Sequence, residues 1–243
     1  MKAGLLSICG LFVTSVSCFP LEGPGEPAMH GRLADEPLVD VAEIDPTIVI
    51  DLRYATPRNI TGAPIYPKGT RCLLRRGVAE RLKVAQQYLV QHWRLRLKIW
   101  DAYRPASAQQ ILWDRVKNPE FSSDPAKGHS LHARGVAVDV TLVDMKGKDV
   151  PMPTDFDDFT PAARDEYTGT DPEVAKNMRH LKHAMHQAGF YGFYTEWWHY
   201  MAADWKNYGA IDDADAQRLM PPRRAWWRNL HWPGLSGQGG GKK

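Results

Sequence analysis

Cysteine is scarce in this chain. Three occur in 243 residues, at positions 9, 18 and 72, too few for the disulfide framework of a small secreted scaffold. An excess of charge is missing as well. Lys and Arg number 31 against 28 Asp and Glu, and the resulting +3 is too small to imply a nucleic-acid partner. There is no internal repeat, and beyond the first residues there is no apolar run that would span a membrane in the mature protein. What remains is an ordinary globular composition, 43% hydrophobic and 24% charged, long enough to bury one large core. A single folded body is expected.

The two ends read differently from that body. Residues 1–18, "MKAGLLSICGLFVTSVSC", carry one Lys, a short apolar run and then small residues, the pattern of a signal peptide. Export to the periplasm is therefore expected. "SVSC" also resembles a lipoprotein cleavage box with Ser15 where leucine is usual, so a lipidated form is the alternative. Residues 19–37 are rich in Pro and Gly and read as a linker. The folded domain is placed at 38–210. Residues 211–243 form a tail whose Trp226, Trp227, Arg223 and Arg224 read as a bland extension before they read as a partner-binding patch.

Within the body, helix and strand signals alternate. "TIVIDLRYAT" (47–56) reads as a strand, and Val78, Leu82, Ala85 and Leu89 mark an amphipathic helix over 76–92. Residues 95–100 alternate as a strand, and Pro105 opens a helix that runs to about Lys117. Val136, Val138, Val140 and Leu142 share one face of the next strand, so Asp139 lies on the other. Asp171 and Pro172 start a helix that Gly189 ends, with Val174, Met178, Leu181, Met185 and Ala188 on one stripe. The aromatic run 190–201 follows as a strand. Such a pattern implies an α+β fold with a mainly antiparallel sheet packed against helices.

The chemistry concentrates in two stretches. In "SLHARGVAVDV" a turn at Gly135 lets His132 and Asp139 fold toward one ion, and "EWWH" supplies His199. Two imidazoles and a carboxylate are the ligand types of a catalytic zinc site, which keeps its fourth position for water. One Zn2+ per chain is expected on His132, Asp139 and His199. Glu196 is then the general base, but in a regular strand it would face away from His199, so a bulge or strand end near Trp197 is predicted. Arg104 in "DAYRP" is the candidate oxyanion donor. His180, His183 and His186 are read as mostly solvated, with adventitious metal on His183 and His186 as the alternative, and His129 as a surface or core residue before a further ligand. The acidic stretch Asp144, Asp149, Asp155, Asp157 and Asp158 is read mostly as solvated.

"SLHARGVAVD", "EWWH" and "WDAYRP", with "DLRYAT" and "NITG" upstream, resemble the D-alanyl-D-alanine dipeptidases of the vancomycin-resistance type over about Asp51 to Tyr200. These belong to the zinc D,D-peptidases that share the hedgehog fold. The resemblance implies zinc on the three ligands above, Glu196 as base and Arg104 as transition-state stabiliser. It also implies Ser130, Tyr54 and Asp157 as contacts to a small dipeptide, with Asp157 holding the free amine. Three readings follow: a D-Ala-D-Ala dipeptidase of cell-wall turnover, a D,D-carboxypeptidase acting on peptidoglycan stem peptides, and a non-catalytic, hedgehog-like binding module.

Overall fold

Two strands of alternating apolar residues form the centre of the molecule. β4 (Leu95–Asp101) and β5 (Ala137–Asp144) run antiparallel. Their alternation sets Leu97, Ile99, Val138, Val140 and Leu142 on one face, where all are fully buried. The computed structural model describes residues 36–127, 130–211 and 216 and extends this pair into a five-stranded sheet. β2 (Val49–Ile50) joins β4 in parallel, while β7 (Glu196–Ala202) pairs antiparallel with β5 and β6 (Phe190–Phe193) with β7. The order is β2-β4-β5-β7-β6, and a separate ribbon pairs β1 (Leu38–Asp40) with β3 (Leu73–Arg75). The mainly antiparallel α+β architecture read from the sequence is what the chain adopts.

Helices follow the expected stripes. After the one-turn α1 (Val41–Ile44), α2 (Arg76–Trp93) buries Val78, Leu82, Ala85 and Leu89 completely. α3 (Ala106–Val116) begins directly after Pro105. α4 (Pro172–Gln187) is capped by Asp171, whose carboxylate accepts the Glu173 and Val174 N–H groups. α2 and α4 pack on each other and on the sheet. Each fully buried Leu of these stripes contributes about 1.5–3 kcal/mol over its exposed state.

Residues 47–56 depart from the expectation. Only Val49–Ile50 are strand, and Arg53–Ala55 form a one-turn 3-10 helix. The cause is tertiary. Arg53 and Tyr54 are both buried, which neighbours on a strand facing solvent on one side could not be. Arg53 pairs with Asp51 and Asp155 and lies over the Trp100 ring, while Tyr54 reaches Asp157.

The histidines of α4 also need one correction. His183 and His186 are exposed, but His180 is half-buried because its ring stacks on Trp93 at 4.0 Å. The acidic stretch is not simply solvated either: Asp149 pairs with Lys98, Asp155 with Arg53, and Asp144 accepts the Lys146 and Lys148 N–H groups. The expected export signal, the expected linker up to residue 35, most of the tail and His129 lie outside the described residues. Among the described residues no helix is long and apolar enough to cross a membrane.

Candidate active site

Two irregularities in the sheet place the functional side chains. In β4 the register with β5 shifts between Ile99 and Asp101, so that Asp101, not Trp100, pairs with Asp139. Paired residues of an antiparallel ladder face the same way. The extra residue at Trp100 therefore turns Asp101 onto the face that carries Asp139, where a regular strand would have turned it away. Across the next ladder Asp139 pairs with His199. Asp101, Asp139 and His199 thus stand in a row over three strands.

The second irregularity lies between β6 and β7. Gly192 pairs with Tyr200, but the next residue, Phe193, pairs with Glu196. Three residues of β7, Trp197 to His199, bulge against β6, at the position where the sequence required a break. Glu196 and His199 line the same cavity as a result.

His132 arrives from outside the sheet. A one-turn 3-10 helix (His132–Arg134) precedes Gly135, which adopts φ +70. Any Cβ there would also meet Leu38 Cδ2 at 2.8 Å, so the turn that feeds β5 requires glycine on two counts. The ring of His132 is fixed by Nδ1 donating to the Ala102 carbonyl at 2.7 Å. That bond leaves the Nε2 lone pair free for a ligand role.

Nε2 of His132, Nδ1 of His199 and Oδ1 of Asp139 form a triangle with sides 3.2, 2.9 and 3.4 Å. Two ligands roughly 2.05 Å from a tetrahedral zinc stand about 3.3 Å apart. The triangle has that size, and its three atoms are the only such His, Cys, Asp and Glu grouping among the described residues. Burial alone would raise the Asp139 carboxyl, but the two imidazoles outweigh it and hold it well below the usual carboxylate range. His199 is lowered, chiefly by burial, against the pull of Asp139. A carboxylate and two neutral imidazoles are the protonation states that bind a metal.

Around the triangle stand the other expected residues. Glu196 is buried, and desolvation together with Asp139 and Asp157 pushes its carboxyl well up, while Arg104 pulls it back. Arg104 is also buried: Nε and Nη2 donate to Asp101 Oδ2 at 2.9 and 2.7 Å, and Nη1 to Gln109 Oε1 at 2.9 Å. Burial opposes its charge, yet Asp101 more than compensates, so the guanidinium stays ionised. Its carbon lies 4.8 Å from the centre of the Tyr54 ring.

Asp157 is held in the left-handed region at φ 59, which Asp tolerates better than most residues. It accepts the Tyr54 hydroxyl at 3.0 Å and the Ile60 N–H at 2.9 Å. Burial dominates these bonds and pushes its carboxyl up to about 7. Ser130 accepts the His132 N–H at 3.2 Å, and its own hydroxyl hydrogen remains to be donated.

All eight residues singled out in the sequence, His132, Asp139, His199, Glu196, Arg104, Ser130, Tyr54 and Asp157, line one cavity of about 130 Å³. That is well under the roughly 300–1,000 Å³ of pockets for drug-sized ligands. Phe121, Phe159 and Phe193 complete its wall, with Phe121 and Phe159 stacked at 4.8 Å. Sequence reading missed three polar residues behind this wall. Asp101 and Gln109 hold Arg104, and Tyr66 donates to Asp101 at 2.6 Å.

A family model described as D-ala-D-ala dipeptidase matches residues 34–215. The chain belongs to the D-Ala-D-Ala dipeptidase family. This is a family of metal-dependent peptidases, in keeping with the ligand triangle. Among its relatives, the D-alanyl-D-alanine dipeptidase of Escherichia coli (strain K12) is 36% identical over 188 residues, covering 76% of this chain and 94% of that one. The D-alanyl-D-alanine dipeptidase of Enterococcus faecium is 30% identical over 173 residues, 63% of this chain and 85% of the relative. A solved vancomycin-resistance D,D-dipeptidase, VanXYg, aligns over 68% of this chain and 66% of its own at 16% identity and TM-score 0.34, too slight a likeness to support an argument.

Proposed function

We propose that this protein is a zinc peptidase that splits free D-Ala-D-Ala into two D-alanines in cell-wall turnover, with His132, Asp139 and His199 as the metal ligands. The observation that carries the reading is the ligand triangle at the wall of a small cavity that Glu196, Arg104 and Asp157 also line. The donor set, two imidazoles and one carboxylate, fits zinc in ligand type and in spacing. Zinc bound there supplies a water acidic enough to attack near neutral pH and polarises the scissile carbonyl.

The protein's own groups do the rest. Glu196 takes a proton from the attacking water and returns one to the departing amine. Arg104 carries five N–H groups, of which three are bound to Asp101 and Gln109, leaving two for the oxygen that gains charge. One such preorganised donor is worth about 2.7–4 kcal/mol in the transition state. Asp157, partnered by Tyr54, receives the substrate ammonium. Ser130 offers its hydroxyl to the substrate backbone.

Substrate choice follows from the amine end. A carboxylate that is 7% exposed is stabilised in its charged form by an ammonium, and an N-acylated peptide brings none, so it would leave the charge unpaired. This favours the free dipeptide over peptidoglycan stem peptides. The D,D-carboxypeptidase reading draws its support from the signal-like residues 1–18, which also support export to the periplasm and, with "SVSC", a lipidated form. Glu196 weighs against a non-catalytic module, because a structural metal site has no use for a buried base.

The test compares D-alanine release from D-Ala-D-Ala and from N-acetyl-D-Ala-D-Ala by the zinc-loaded protein, before and after chelation. We expect release from the free dipeptide, lost on chelation and restored by zinc. Preference for the acetylated form would transfer the assignment to the carboxypeptidase reading.

A further inference from the structure

The carboxylate of Asp101 has no exposed surface and gathers four contacts. Oδ2 accepts Nε and Nη2 of Arg104 at 2.9 and 2.7 Å and lies 3.4 Å from Nδ1 of His132; Oδ1 accepts the Tyr66 hydroxyl at 2.6 Å. A buried ion pair of this kind adds little net stability over an apolar replacement of the same shape. Its geometric effect is large, however, because the planar guanidinium fork is fixed along one edge by a two-point bond. Gln109 fixes the Nη1 end, and its own amide is anchored by donating to Ser122 Oγ at 3.1 Å and to the Ser123 carbonyl at 2.8 Å. With both ends held, Arg104 has no rotamer freedom left to lose when a substrate arrives.

The backbone points to the same purpose. Only the extra residue at Trp100 brings Asp101 beside Asp139; without it the carboxylate would face the apolar side of the sheet, and Arg104 and His132 would lose a shared anchor.

We propose that Asp101 is a positioning residue of this enzyme: it aims the guanidinium of Arg104 at the oxygen that gains charge in the transition state and steadies the imidazole of His132, while Tyr66 locks its second oxygen. The proposal rests on the dipeptidase reading, in which Arg104 is the donor to be aimed. Asp101 touches no reacting atom. Its removal should act on kcat through Arg104 and leave substrate affinity and metal content nearly intact, since the His132 ring keeps its 2.7 Å bond to the Ala102 carbonyl.

A double-mutant cycle tests this. Asp101→Asn keeps the volume but can no longer accept both Arg104 bonds and the Tyr66 hydroxyl at full strength. It should lower kcat about 10- to 100-fold, change KM less than about threefold and retain bound zinc. In an Arg104→Ala background the same substitution should cost less than about twofold, because the group it acts through is gone. Independent, multiplicative losses in the cycle would overturn the proposal. A second readout does not depend on turnover: the Arg104 Nε–H should give a slowly exchanging NMR signal in the wild type and lose its protection in Asp101→Asn. Persistence of that protection would overturn the proposal even if the rate fell. If Asp101→Asn does not fold, Tyr66→Phe removes one bond alone and should lower kcat a few-fold at constant KM; a wild-type rate would contradict the proposal. A wild type that releases no D-alanine would refute the dipeptidase reading, and the exchange measurement would still decide the role of Asp101.

Discussion

Asp157→Asn should make the metal-free protein more stable at pH 8 while disabling it as a dipeptidase. The folded carboxyl sits at about 7, mainly through burial, against about 3.9 for an exposed Asp. For an acid raised in this way, folding favours the protonated form. The penalty is therefore absent below about pH 4, grows as pH rises, and is complete above about 7, where it reaches roughly 4 kcal/mol. Asparagine never carries the charge. It can still accept the Ile60 N–H and tolerates the left-handed backbone, but it weakens the bond from Tyr54, a loss of about 1–2 kcal/mol. The variant should thus be about 2–3 kcal/mol more stable than wild type at pH 8, an advantage that falls by roughly 3 kcal/mol at pH 4.5. Urea titrations of both metal-free proteins at the two pH values measure this. With zinc restored, kcat/KM for the free dipeptide should fall by about 2–5 kcal/mol equivalent, as for truncation of a buried charge pair, while any residual turnover of N-acetyl-D-Ala-D-Ala should be unaffected. A stability difference that does not change with pH would refute the claim that Asp157 is a strained, charge-seeking carboxylate.

Glu196→Ala should abolish hydrolysis while zinc content stays at the wild-type level; substantial remaining turnover would remove Glu196 from the role of base. Gly135→Ala combines a φ of +70 with a contact of 2.8 Å to Leu38, and strain of about 1–3 kcal/mol or more should lower Tm and, by moving His132, weaken zinc binding in a titration. Gln109→Glu keeps an acceptor for Arg104 but loses the two bonds donated to Ser122 and Ser123. Steady-state kinetics should show KM raised more than kcat is lowered, because the loop that walls the cavity is released while the guanidinium is still held.

The grouping of His132, Asp139 and His199 was readable because its pattern is local: a histidine, a left-handed glycine and a carboxylate within eight residues, and a glutamate three places before a second histidine. Even the bulge at Trp197 followed from parity, since Glu196 and His199 could share a cavity in no other way. Asp101 was not readable for the mirror-image reason. The bulge at Trp100 reverses the parity of β4 just before it, and nothing in "LRLKIWDAYRP" announces that extra residue. Gln109 looks like a solvated helix position until the loop of 118–123 folds over it. Residues 47–56 misled because β-branched composition favours a strand, whereas burial of both Arg53 and Tyr54 requires a turn. Propensity lost to tertiary contacts there, as it commonly does.

The central claim is that His132, Asp139 and His199 hold one zinc. X-ray absorption at the zinc edge, on protein loaded with one equivalent, tests it most directly when wild type is compared with His199→Ala. The account predicts two imidazole nitrogens and light oxygen ligands at about 2.0–2.2 Å, with one imidazole lost and zinc bound more weakly in the variant. An unchanged spectrum and stoichiometry in His199→Ala, placing the ion on other residues, would contradict it.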